Sequence, residues 1–219
     1  MLQDIRTVNR KIHAYYPELP LILMGHSMGS LAVRAFVAEH DSCVDMLIVC
    51  GSPSYNTAMP LGVAIAKTEK AVFGPRHRSK LIETMSFGAG AMKFRKDKRC
   101  TAWICSDPDV AKEYEESEMC GFTFTDDAYL ALFELMKRAY DVEHFSCTNP
   151  DMPVLFVSGA EDPCLINVRH AKTVRAMRRA GYKDVKGKLY PGMRHEILNE
   201  IGREQVYHDI AVYMRKKGF

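Results

Sequence analysis

Leu21-Ile22-Leu23-Met24-Gly25-His26-Ser27-Met28-Gly29-Ser30 is the stretch on which the fold turns. Its first four residues form an apolar run without alternation, introduced by Pro20, which suits a strand covered on both faces of a parallel sheet. Leu31, Arg34, Ala35 and Ala38 then recur at helical spacing as far as His40. Between strand and helix lies Gly25-His26-Ser27-Met28-Gly29, a G-x-S-x-G turn in the setting that lifts a serine hydroxyl clear of the backbone. The turn is tight, so the positions two before and two after the serine are predicted to need glycine. A helix beginning at Met28 would aim free N–H groups and its positive dipole end at developing negative charge.

Working outward, Leu2, Ile5, Val8, Ile12 and Tyr15 predict an amphipathic helix over 2–15, stopped by Pro17. Val44 to Cys50 reads as a second buried strand, closed by Gly51-Ser52-Pro53, and Pro153 to Ser158 as a third. A helix over Val168 to Ala180 ends at Gly181, and a strand over Asp184 to Tyr190 precedes a last helix over Ile201 to Arg215. Strands alternating with helices imply right-handed β-α-β units, hence an α/β fold with a parallel sheet between helical layers. The stretch between the second and third strands is too long for a loop. Thr125 can cap a helix whose first turn holds Asp126 and Asp127, followed by the apolar stripe Tyr129, Leu132, Phe133, Met136 and Tyr140. Residues 60–73 and 78–92 are weaker helical candidates. Residues 53–150 are therefore expected to form a helical insertion, with 1–52 and 151–219 as the core.

A serine hydroxyl is a weak nucleophile near neutral pH without a base to take its proton, which directs attention to the eight histidines. His195, in Pro191-Gly192-Met193-Arg194-His195-Glu196, follows the last strand at the carboxyl edge of the expected sheet, where active sites of open α/β folds gather. His26 adjoins the serine but should leave the turn in another direction, towards packing or a pocket wall. His13, His40, His170 and His208 fall on predicted helices, while His77 and His144 lie in the insertion. The base needs a carboxylate to hold its tautomer. Asp162, in Ser158-Gly159-Ala160-Glu161-Asp162-Pro163, follows the third strand at the same edge, with Glu161 as its nearest competitor. The chain order Ser27, Asp162, His195 is one of the three known for such triads.

These segments resemble the α/β-hydrolase superfamily, near its monoacylglycerol lipase, lysophospholipase and serine-aminopeptidase-like branch. The likeness covers the whole chain, rests on the elbow and the loops around Asp162 and His195, and places residues 53–150 where that branch carries a cap. It implies hydrolysis of carboxylic esters of small molecules, monoacylglycerols or lysophospholipids among them, with no metal or organic cofactor. Ser27 would be the nucleophile, His195 the base, Asp162 its orienting acid, and the Met28 backbone N–H an oxyanion donor. In one respect the sequence departs from the branch. Only one helix precedes the elbow strand, so the early strands and the His-Gly loop that supplies a second oxyanion donor are missing. The expectation is an N-terminally shortened hydrolase, whose elbow strand has an open apolar edge. The alternatives are an impaired hydrolase fold or binding module, and a serine aminopeptidase.

Thirty basic and 27 acidic residues leave a net charge of +3, too balanced to predict a nucleic-acid partner. Seven cysteines, an odd number without repeating spacing, predict free thiols rather than a disulfide framework or zinc site. A charged N-terminus and apolar runs of strand length predict a cytoplasmic protein, its oligomeric state left open. Lys93, Arg95, Lys96, Lys98 and Arg99 read as a solvated face of the cap, with weak contact to anionic lipid headgroups as the functional alternative. Phe87-Gly88-Ala89-Gly90-Ala91 lacks the strand and third glycine of a dinucleotide-binding turn. Trp103, Phe73, Phe87 and Phe94 are candidates to line an acyl pocket.

Overall fold

The computed structural model describes residues 1–219 except Lys98 and Ile166, and leaves aside the side chains of Ala89, Ala91, Asn167, Val168 and Arg169. Among the described residues, four strands form one parallel sheet in the order β1-β2-β3-β4: Ile22–His26, Met46–Cys50, Val154–Gly159 and Val185–Tyr190. Eight α-helices accompany them: α1 Leu2–Tyr15, α2 Met28–His40, α3 Met59–Phe73, α4 Lys80–Lys93, α5 Pro108–Glu116, α6 Asp126–Tyr140, α7 Asn167–Arg179 and α8 Arg203–Lys216.

The two central strands show why their sequences carry no polar alternation. Leu47 and Val49 of β2, with Val154 and Phe156 of β3, meet Val33, Phe36 and Val37 of α2 and Val174 and Met177 of α7 on one face. Met46, Ile48, Cys50, Leu155 and Val157 point the other way, onto Val206, Ile210, Tyr213 and Met214 of α8. Both faces are covered, so both must be apolar. Each such side chain removed from water stabilises the fold by about 1.5–3 kcal/mol. The β1 strand pairs only with β2 among the described residues, and Met24 remains 39% exposed.

Between β2 and β3, the described residues form four α-helices and no strand. They are held through α2, whose second face, Leu31, Ala32 and Ala35, packs against Met59 of α3 and Leu135, Met136 and Ala139 of α6. Arg34 reinforces that seam. Its buried guanidinium donates to the Ala139 carbonyl at 2.5 Å and lies 4.4 Å from the centre of the Tyr140 ring. Thr125 caps α6 by accepting from the Ala128 N–H.

The stripe predicted for α1 is only half used. Leu2 and Ile5 pack against the core, but Val8, Ile12 and Tyr15 are exposed. The helix is turned so that buried Asn9 donates to the Cys43 carbonyl, which lies 3.1 Å from a ring nitrogen of His13. All seven cysteines are free, and no helix among the described residues is long and apolar enough to cross a membrane.

Candidate active site

The turn from β1 into α2 puts Ser27 at φ 53° and ψ −120°, a left-handed conformation costly for a residue with a side chain. Its neighbours hold it there. The Ser27 N–H donates to the Cys50 carbonyl at 3.0 Å, and its own carbonyl accepts from the Ser30 hydroxyl at 2.5 Å. Gly25 is required, because a Cβ there would lie 2.3 Å from the Gly29 carbonyl oxygen and 2.8 Å from Val33. Gly29 departs from expectation, since a Cβ at that position meets nothing within 4 Å. Crowding in the turn falls on the backbone of residue 29, not on the side its own Cβ would occupy. Met28 is the first residue of α2, where N–H groups have no partner within the helix.

Asp162 and His195 reach the same rim on loops leaving β3 and β4. Those loops cross closely at Gly159, where a Cβ would lie 2.0 Å from the Arg194 carbonyl oxygen. The Ala160 N–H donates to Tyr190 and the Glu161 N–H to Met193, fastening the two loops together. The structure brings the three side chains into one chain of contacts. His195 Nε2 lies 2.8 Å from Ser27 Oγ, and His195 Nδ1 lies 2.8 Å from Asp162 Oδ2. With Nδ1–H donating to the carboxylate, Nε2 is left to accept a hydrogen bond from the Ser27 hydroxyl. Asp162 Oδ1 also accepts from the Cys164 N–H at 2.8 Å. Asp162 is 1% and His195 4% exposed, so their contact is shielded from water. Glu161, the competing carboxylate, faces outwards and pairs with Lys93.

The His26 ring lies 4.8 Å from that of His195 and lines the cavity above Ser27. Burial, followed by the proximity of His195, lowers its pKa to about 4, so His26 is neutral at physiological pH. Burial beside the Asp162 carboxylate pushes the Cys164 thiol well above its ordinary value, and burial pushes Cys50 up to about 12. Neither presents a thiolate to compete with the serine. Asp162, Cys164 and His195 bring three metal-ligand atoms within 4.8 Å of one another, but both Asp162 oxygens already have donors, His195 Nδ1–H and the Cys164 N–H.

Residues between β2 and β3 stand over the serine and line with it a cavity of about 490 Å³. Its lining includes Phe87, Trp103, Phe122, Phe124 and Tyr129, with Glu83 and Glu196 as carboxylates. Trp103 stands 5.2 Å from the His195 ring and stacks on Phe87 at 5.5 Å. Of the four aromatic candidates, Trp103 and Phe87 line the cavity. Phe73 is exposed, and Phe94 lies against the Arg194 guanidinium. Neither His77 nor His144 lines it; His144 is exposed beside Asp141. The stretch 87–91 is part of α4. Lys93 and Arg99 are paired with Glu161 and Glu115, which reduces the free charge of the cationic run; Lys98 lies outside the described residues.

Two supporting residues carry no signal in the sequence as roles. Cys164 backs the carboxylate of Asp162. Glu200, 1% exposed, accepts from the Arg194 N–H at 2.7 Å, from the Ser106 N–H at 3.0 Å and from the Ser106 hydroxyl. It thereby joins the loop that carries His195 to the segment between α4 and α5.

The fold is that of the α/β-hydrolases. A carboxyl esterase from Bacillus coagulans, solved with glycerol, superposes with a TM-score of 0.88 at 24% identity, over 99% of this chain and 71% of that one. A monoacylglycerol lipase from Paleococcus ferrophilus superposes at 0.69 with 18% identity, over 99% and 74%. In sequence, a monoacylglycerol lipase of Mycolicibacterium smegmatis is 25% identical over 216 residues, 97% of this chain and 68% of that one. The chain belongs to the hydrolase family described as serine aminopeptidase, S33, which matches residues 1–202.

Proposed function

We propose that the protein is a serine hydrolase of carboxylic esters, acting on monoacylglycerol- or lysophospholipid-like substrates through an acyl-enzyme. The observation that supports this most is the single imidazole standing 2.8 Å from both a strained serine and a buried carboxylate, beneath an aromatic-lined cavity. Ser27 Oγ attacks the acyl carbon while its proton passes to His195 Nε2. Asp162 holds Nδ1–H and stabilises the imidazolium. The developing oxyanion meets the Met28 N–H at the start of α2. Collapse expels the alcohol, which takes the proton from Nε2. Water then attacks the acyl-enzyme with His195 as base, regenerating the serine. No step requires a metal or organic cofactor.

The acyl chain is assigned to the wall formed by Phe87, Trp103, Phe122 and Phe124, where burial of methylenes contributes about 0.8 kcal/mol each. The polar part of the substrate is assigned to the side bearing Glu83, whose carboxylate already accepts from the Thr123 hydroxyl at 2.8 Å. A second reading, cleavage of an amino-terminal peptide bond, draws on Glu83 and Glu196 as possible partners for an ammonium group. The aromatic lining favours the ester. A side-by-side assay of aminoacyl amides and p-nitrophenyl esters separates the two readings by which is turned over faster.

Ser27→Ala tests the mechanism. It should lose labelling by a fluorophosphonate probe and lower p-nitrophenyl ester turnover by on the order of 10⁴–10⁶-fold while keeping its circular dichroism. Retained labelling or turnover would remove Ser27 from the reaction.

A further inference from the structure

A second cluster of chemistry-bearing side chains lies in the cap, away from the Ser27 cavity. Glu69 comes from the last turns of α3, His77 from the α3–α4 connection and Asp126 from the first turn of α6. One donor atom from each lies within 4.8 Å of the other two. His77 Nδ1 stands 3.1 Å from Asp126 Oδ2, and the Asp126 N–H donates to the His77 carbonyl at 2.8 Å, so the connection is fixed against α6.

The other carboxylate oxygens are the anomaly. Asp126 has a fully buried side chain, yet its Oδ1 has no hydrogen-bond donor, and buried Glu69 Oε2 has none either. The nearest-sequence cation, Lys70, is committed to Asp127 at 2.5 Å. The first turn of α6 favours a negative charge but places no donor on Asp126 Oδ1. A buried carboxylate oxygen without a donor is costly, and two carboxylates that each carry one and stand together with an imidazole are better explained by a shared cation.

We propose that Glu69, His77 and Asp126 bind a divalent transition-metal ion, with Zn²⁺ the occupant this donor set favours. Two carboxylates balance the ion's charge, and an imidazole selects a borderline metal over Mg²⁺ or Ca²⁺. Ligands at about 2.0–2.2 Å from zinc stand roughly 3–4 Å from one another, so the site closes by small side-chain rotations. His77, 32% exposed, supplies the side from which the ion enters and a water completes the shell. The bound ion cross-links α3, the connection and α6, and so braces the cap without entering the reaction at Ser27.

The test titrates the chelator-treated full chain with Zn²⁺ by calorimetry and with Co²⁺ by visible absorption. One equivalent should bind, giving cobalt d–d bands without a thiolate charge-transfer band, and Zn²⁺ should raise Tm. His77→Ala and Glu69→Gln, at partly exposed positions that the fold tolerates, should each weaken binding 10–100-fold and lose the Tm shift. Cys164→Ala should retain both. Absence of stoichiometric binding, unchanged binding in both cap variants, or loss of binding in Cys164→Ala would overturn the assignment. The last outcome would place the ion at Asp162, Cys164 and His195 instead.

Discussion

The rim that carries Ser27, Asp162 and His195 and the cap that covers it are built on different terms. At the rim, backbone approaches backbone so closely that single atoms decide the outcome. Gly25 leaves 2.3 Å for an added carbon and Gly159 leaves 2.0 Å. In the cap, side chains meet side chains, as in the stacking of Phe87 on Trp103 or the packing of Phe133 against Tyr129. A rigid backbone frame holds reacting atoms to a fraction of an ångström, whereas side-chain packing tolerates exchange among shapes of similar volume. Substitution at the rim should therefore remove turnover outright, and substitution in the cap should redistribute it among substrates.

Beyond Ser27 itself, the largest expected effect is at Asp162. Asp162→Asn keeps the shape but cannot hold Nδ1–H as the carboxylate does, and kcat for a short ester should fall by about 10⁴-fold. A loss below tenfold would put the rim on the same footing as the cap. Gly159→Ala comes next. Its added carbon drives the loop bearing His195 away from β3, which should lower kcat about 100-fold and reduce stability by about 3 kcal/mol in urea unfolding. Trp103→Ala sharpens the contrast from the other side. It should raise KM for a long-chain ester about tenfold and leave kcat for an acetyl ester within about twofold.

The smallest effect concerns pH. His26 is held neutral by burial, with its pKa near 4 instead of 6.5, so the folded protein binds fewer protons than the unfolded chain between those values. Its contribution to stability is complete above pH 6.5 and is lost as pH falls towards 4. His26→Gln should remove about 2 kcal/mol of the stability lost between pH 7 and pH 5, read as a smaller drop in Tm over that range. An unchanged slope would separate His26 from the acid sensitivity of the rim.

The same division governs what could be read without coordinates. The strands were legible because burial on both faces demands unbroken apolar runs, and the turn at Ser27 because its backbone conformation restricts the residues around it. Asp162 and His195 sit in short loops directly after strands, so chain order alone brings them to one edge. The cap is less transparent. The helix α5 spans only nine residues, too short for its period to stand out, and the cap side of the cavity combines residues from position 83 to position 129 with no common spacing. Phe73 and Phe87 look alike in sequence, yet one is exposed and the other faces Trp103. Rotation of a helix by a fraction of a turn decides between them, and tertiary packing sets that rotation. The rotation of α1, which exposes Val8 and Ile12 and buries Asn9, has the same origin.

Glu200 ties two distant parts of the chain together. Its carboxylate grips residue 106, in the turn that leads into α5 of the roof, and residue 194, immediately before the imidazole. Displacement of that roof segment is thus passed to the loop bearing His195 through a buried carboxylate, backed by the Arg194 guanidinium on the Ala102 and Cys105 carbonyls and by the Glu196 N–H on the Ile104 carbonyl.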